Sequence, residues 1–234
     1  MQSCSNKIQY NKLKILKYIS FSLLVFLVIF PCLVCNAQAR GKAVYLKTVL
    51  NRIEKKYLNR DFSLSFNEIS TLKAINVIDT ASGRAFFRYP GKMRWDYNTP
   101  EPNEIITDGK NLWIYRPGEN QVVKGNARDL FHAGTGGAFL SNISIIRKFY
   151  KLSIESKDRA FINLLMIPKK KTPAIASVHI RISRDTYEVN RIISFNIYGD
   201  TTELRFNDIQ FRPLDDSLFK FTVPEGADLI LMNK

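Results

Sequence analysis

Cysteine is almost absent from this chain, and its placement limits what it can do. Cys4, Cys32 and Cys35 all precede the small-residue triplet Ala37-Gln38-Ala39. Downstream of that point no disulfide, thiolate ligand or thiol nucleophile is available. Histidine is nearly as scarce: His132 and His179 each lack a second His or Cys at ligand spacing, so a zinc site finds no support. No Gly-x-Ser-x-Gly segment occurs, and no Ser-His-Asp set suggests itself. Gly134, Gly136 and Gly137 are not followed by Gly-Lys-Ser/Thr, which argues against a phosphate-binding loop. Asp108 heads a turn and Asp96 lies on a polar strand face, the settings of structural carboxylates; nothing points to a glycosidase pair. Long apolar runs are also missing. Phe21–Cys35 is interrupted by Ser22 and Pro31 and covers only 15 residues, short of the ~20 that span a bilayer. Acid is absent from residues 1–20, which carry Lys7, Lys12, Lys14 and Lys17.

A basic start, an apolar stretch and an A-x-A triplet make a secretory signal. The expectation is a cleaved signal peptide over residues 1–39 and one domain over residues 40–234, 195 residues long. Cys35 follows Val34 and Cys32 follows Pro31, whereas a lipidation signal needs a small residue before its cysteine, so a soluble secreted protein is expected. The formal charge of +14 falls to +10 without the four signal lysines. For a secreted chain that excess suits a solvated exterior with some contact to lipid headgroups or an acidic partner, and not nucleic acid.

What the chain does have is aromatic alternation. Arg84–Gly125 is punctuated by Pro90-Gly91, Asp108-Gly109 and Pro117-Gly118, with short aromatic and β-branched runs between, the pattern of strands joined by hairpins. In Lys92–Tyr97, Met93, Trp95 and Tyr97 share one face and Lys92, Arg94 and Asp96 the other. Phe62, Leu64 and Phe66 alternate in the same way. An amphipathic helix is predicted over Val44–Leu58 from the spacing of Leu46, Val49, Leu50, Ile53 and Tyr57. Strands are expected near 61–70, 73–79 and 84–89, the latter two parted by a turn at Thr80–Gly83, and then at 92–97, 103–107, 111–116 and 120–124. Two short helices at 127–132 and 137–146 flank a glycine joint suited to a hinge or an ordinary loop. Further strands are expected at 148–155, 159–168, 177–183, 190–197 and 202–211, with Phe219–Val223 closing the sheet. The sum is an α+β chain of about eleven or twelve strands and three helices. Polar sets read as surface and apolar sets as wall, which suits binding better than turnover; no enzyme activity and no cofactor are expected.

The ordered set Tyr89-Pro-Gly-Lys-Met-Arg-Trp-Asp-Tyr97, Pro100-Glu-Pro102 and Thr107-Asp-Gly-Lys-Asn-Leu-Trp-Ile-Tyr115 resembles the LolA family of periplasmic lipoprotein carriers. The likeness runs more loosely from about Val44 to Val223. It implies an incomplete, strongly curved antiparallel β-barrel, lidded by short helices over a hydrophobic cavity for acyl chains. It also implies acylated lipoproteins as cargo, an inner-membrane lipoprotein-releasing ABC transporter complex and an outer-membrane acceptor lipoprotein as partners, and a monomer in the periplasm. The expected cavity wall or entrance is Phe62, Leu64, Phe66, Phe87, Met93, Trp95, Tyr97 and Trp113. The family's lid-latching arginine falls at Tyr89 here, with Arg88 one residue earlier. Tyr89, facing inward with Phe87, is the expected latch, and Arg88 the alternative if a bulge turns it inward. A lipoprotein-sensing domain of the same fold, or a carrier of another lipid, stands as the alternative reading.

Overall fold

A computed structural model describes residues 42–128 and 138–232. The expected signal peptide and the joint at Gly134, Gly136 and Gly137, with His132, lie outside the described residues. The chain divides into two units between Thr48 and Val49. Of the first, residues 42–48 are described and form the opening turns of helix α1, residues 42–57; the second holds the rest of α1 and all the strands. No described helix is long and apolar enough to cross a membrane.

The strands are β1 (Asp61–Leu72), β2 (Val77–Arg88), β3 (Lys92–Thr99), β4 (Asn103–Asp108), β5 (Asn111–Arg116) and β6 (Gln121–Asn126). After a 3-10 turn at Ala138–Asn142 and a short helix α2 (Ile145–Phe149) come β7 (Tyr150–Lys157), β8 (Phe161–Pro168), β9 (Ser177–Ser183), β10 (Val189–Phe195), β11 (Thr201–Gln210) and β12 (Asp228–Leu231). They make one sheet in the order β12-β6-β5-β4-β3-β2-β1-β11-β10-β9-β8-β7. All pairings are antiparallel except β12 with β6. The outermost strands, β12 and β7, do not pair, so this curved, mostly antiparallel sheet is an open β-barrel. Consecutive hairpins accumulate right-handed strand twist and curl the sheet.

Two expectations are corrected. Thr80–Gly83 is not a turn. β2 runs unbroken through it, and the reversal lies at the 3-10 turn Lys73–Ile75. Gly83 is there for close approach: a Cβ would lie 2.0 Å from the Asp96 carbonyl oxygen and 3.0 Å from the Phe66 ring. Phe219–Val223 is not a strand either; the last strand is β12, farther on. The residues between β11 and β12 cross the outer face of the sheet. There the Leu214 N–H donates to Asp61, and Phe219 is buried beside the Arg88 guanidinium. Farther along, the Phe221 ring packs on Trp113 and Tyr115.

Candidate functional site

The register aligns apolar residues in rows across the inner face. One row runs Phe62, Phe87, Met93, Thr107, Leu112. The next runs Leu64, Ala85, Trp95, Ile105, Ile114. On the other half, Leu204, Ile192, Ile180 and Leu164 align across β11 to β8. Period-two alternation in every strand produces these rows, because paired residues of antiparallel strands share a face. Phe62, Leu64, Phe66, Phe87, Met93 and Trp95 are brought together here, all at most 2% exposed. Phe62 stacks on Phe87 with centroids 4.6 Å apart, and Trp95 meets Phe66 edge-on at 4.8 Å. Tyr97 is half-buried at the margin. Its ring contacts Phe66 and its hydroxyl donates to Glu68 at 2.9 Å; burial, reinforced by the Glu68 charge, pushes its pKa up.

Trp113 does not join them. Its register partners are Ile106 and Lys124, which places it on the outer face against Phe221, while its neighbour Leu112 points inward. The hairpin sets this: Asp108 accepts from the N–H groups of Lys110 and Asn111, and Gly109 adopts φ 93°, which fixes the crossing of Thr107 to Leu112.

α1 and α2 close over the β8–β10 half. Leu50 and Ile53 of α1 meet Phe139, Ile143 and Ile146 above Leu164, Ile180 and Val189, leaving a void of only about 10 Å³. Over this half of the sheet the described lid side chains fill the apolar layer. A recess of about 360 Å³ reaches Trp95, Tyr97 and Leu204 from the side of the sheet end, past the polar residues Ser70, Thr71 and Asp200. The indole Nε1 of Trp95 is buried with no hydrogen-bond partner among the described residues.

Arg88 is not a tie of this lid. Arg88 lies on the outer face, where its guanidinium clasps Asp61 at 2.7 Å, Asp216 at 2.9 Å and the Leu214 carbonyl. It therefore pins the crossing segment, and no bulge turns it inward: β1 and β2 pair without a register shift at Asp61 and Arg88. Tyr89 is half-buried at the turn before Pro90, and the tie at this turn is made by backbone: the Gly91 N–H donates to the Ser141 carbonyl at 2.8 Å. α1 and α2 are joined by Arg147, whose Nε meets Glu54 Oε1 at 2.7 Å and whose second nitrogen reaches Asn51 at 2.6 Å. The buried Tyr57 hydroxyl accepts from the Val189 N–H at 2.9 Å, anchoring α1 to β10. Sequence spacing carried no signal for Arg147, since its partner lies 93 residues away.

Among the described residues there is no group of three or more His, Cys, Asp or Glu that could hold a metal. His179 pairs with Glu155 at 3.0 Å on the rim of the sheet. Asp96 and Glu104 both bind Arg94, at 2.7 and 2.9 Å, on the outer face.

The model of the family described as "Outer membrane lipoprotein carrier protein LolA" matches residues 59–222. An outer-membrane lipoprotein carrier protein of Nitrosomonas europaea is 29% identical over 209 residues, covering 89% of this chain and 98% of its own length. The protein of that name from Chromobacterium violaceum is 28% identical over 208 residues, covering 86% and 97%. Among solved structures, an uncharacterized conserved protein from Thermus thermophilus matches with TM-score 0.54 at 15% identity, over 80% of this chain and 98% of that one. MucB matches with TM-score 0.50 at 14% identity, over 80% of this chain and 66% of that one. These last two share the fold.

Proposed function

The chain belongs to the LolA family of outer-membrane lipoprotein carrier proteins, and from that premise we propose that it is a periplasmic carrier that shelters the acyl chains of lipoproteins on the inner face of its sheet. Residues 1–39 direct secretion and are removed, and residues 40–234 form the carrier. Cargo is taken up at an inner-membrane lipoprotein-releasing ABC transporter complex and handed to the outer membrane, to an acceptor lipoprotein there. No covalent step is involved.

The observation that carries this reading is the inner face itself. Rows of aromatic and aliphatic side chains span the sheet and are covered by two short elements tied down by a few polar contacts. Acyl chains replace Leu50, Ile53, Phe139, Ile143 and Ile146 when the lid lifts. Trp95 supports the same reading, because an ester carbonyl of the cargo satisfies its indole N–H, which has no partner among the described residues.

The test is extraction. Purified protein is incubated with inner membranes bearing a lipoprotein, and soluble complexes are weighed by native mass spectrometry. The acylated lipoprotein is expected in a one-to-one complex, while the same lipoprotein with its acylated cysteine replaced by serine is not held. Equal retention of both forms, or recovery of free phospholipid alone, removes the proposal.

A further inference from the structure

α2 is a partition with two different sides. Ile146 faces the packed apolar layer under α1, and Arg147 turns to Glu54 of α1. Ile145, Lys148 and Phe149 face the other way, into a separate cleft of about 590 Å³. That volume lies within the ~300–1,000 Å³ of small-molecule sites. The cleft plays no part in the acyl site above.

Its chemistry is amphipathic and of one sign. Four cations converge on it from three parts of the chain: Arg128 just after β6, Lys148 of α2, and Lys169 and Lys170 just after β8. No acidic residue lines it among the described residues. Elsewhere several arginines are matched with carboxylates, Arg88 with Asp61, Arg94 with Asp96, Arg147 with Glu54 and Arg191 with Glu203, while others such as Arg60 and Arg181 lie over aromatic rings. The four cleft cations make no such ion pair among the described residues. Lys169 is held in place by donating to the Arg147 carbonyl at 2.9 Å, which fixes the loop beside α2 without neutralising it. The apolar part of its lining, a floor for the cleft, is Ile145, Phe149, Tyr150 and Ile175, and the Lys148 Nζ lies 5.4 Å from the Phe149 ring centroid. Phe149 is 37% exposed, although it belongs to the residue types most often buried. Unpaired cations around a concave apolar floor repel one another unless an anion enters, and the floor gains only if that anion carries an apolar body.

We infer that this cleft binds a phosphate monoanion or diester attached to an apolar body, the chemistry of an anionic glycerophospholipid. The phosphate sits among Lys148, Lys170 and Arg128, and the adjoining carbons lie on Phe149 and Ile145. Phosphate oxygens accept charge-assisted hydrogen bonds from ammonium groups, and the aliphatic part covers Phe149. Free phosphate shares the head chemistry but not the floor contact, so the two sources are separable.

Isothermal titration calorimetry of the protein purified from cells expressing the full chain tests this with three probes: dihexanoyl phosphatidylglycerol below its micelle concentration, dihexanoyl phosphatidylcholine and inorganic phosphate. The phosphatidylglycerol is expected to bind at least about tenfold more tightly than either of the others, since only it offers both the anion and the apolar body. The double variant Lys148→Gln, Lys170→Gln replaces exposed side chains and is expected to lower that affinity at least about tenfold. The variant is also expected to keep acylated-lipoprotein binding within about twofold, since neither residue touches the inner face. Phosphatidylcholine binding as tightly overturns the anion requirement. Inorganic phosphate binding as tightly overturns the lipid. Unchanged affinity in the double variant overturns the location. None of these results bears on lipoprotein extraction, which stands or falls by its own assay.

Discussion

Asp61 shows how a single carboxylate ties the start of β1 to β2 and to the segment that follows β11. Burial works against its charge, but hydrogen bonds from Arg88 and from the Leu214 N–H outweigh burial and hold its carboxyl below the usual carboxylate range. A carboxylate depressed in the folded state stabilises the fold above its ordinary unfolded pKa. That contribution is lost as pH falls through the depressed folded value. Exposed Asp216 is pulled the same way, chiefly by Lys92. Asp61→Asn is therefore expected to cost about 1–3 kcal/mol at neutral pH, because it leaves Arg88 and the Leu214 N–H short of an acceptor. The deficit should shrink once the pH drops below roughly 4, where the unfolded-state carboxylate takes up its proton, and it disappears as the pH falls through the lower native value. Urea midpoints of native protein and variant at both pH values measure it, and a deficit that stays constant with pH contradicts the assignment. None of this could be read from the chain, since Asp61 and Leu214 lie 153 residues apart. The alternation of Met93, Trp95 and Tyr97 could be read, because period two is local.

At the scale of elements, the lid is held by side chains on separate short segments. Arg147 of α2 reaches Glu54 and Asn51 of α1. The pair is partly exposed, so its removal costs only about 0.5–1 kcal/mol, yet it is the polar tie between the two covers. Arg147→Gln is expected to increase binding of the apolar fluorophore N-phenylnaphthylamine several-fold at unchanged secondary structure; binding equal to that of the native protein counts against α1 and α2 acting as a lid. Hairpin-joined neighbours followed from turn signals, and the described residues form a twelve-stranded sheet where eleven or twelve strands were expected. Two elements did not follow, for physical reasons. Gly83 looked like a turn residue, because close approach of a neighbouring strand leaves the same glycine as a reversal does. β12 pairs parallel to β6 across more than a hundred residues, and no local pattern announces such a partner. Trp113 was expected at the cavity wall or entrance from the family likeness, but the Asp108–Asn111 turn decides its face.

For the whole molecule the question is whether cargo can exchange with lid. Uncovering five large apolar side chains at about 1.5–3 kcal/mol each costs on the order of 10 kcal/mol. One acyl chain of about fifteen methylenes recovers about 12 kcal/mol at ~0.8 per methylene. The two nearly balance, which is what a carrier that must also release requires. The chain's two tryptophans lie on opposite faces, Trp95 inside and Trp113 outside against Phe221, and they report where the chains go. In Trp113→Phe, with Trp95 the sole tryptophan, a lipopeptide with brominated acyl chains is expected to quench most of the indole fluorescence. In Trp95→Phe, with Trp113 remaining, the same lipopeptide should leave the emission nearly unchanged. Quenching of Trp113 with Trp95 unaffected, or equal quenching of both, would place the acyl chains off the inner face and contradict the account.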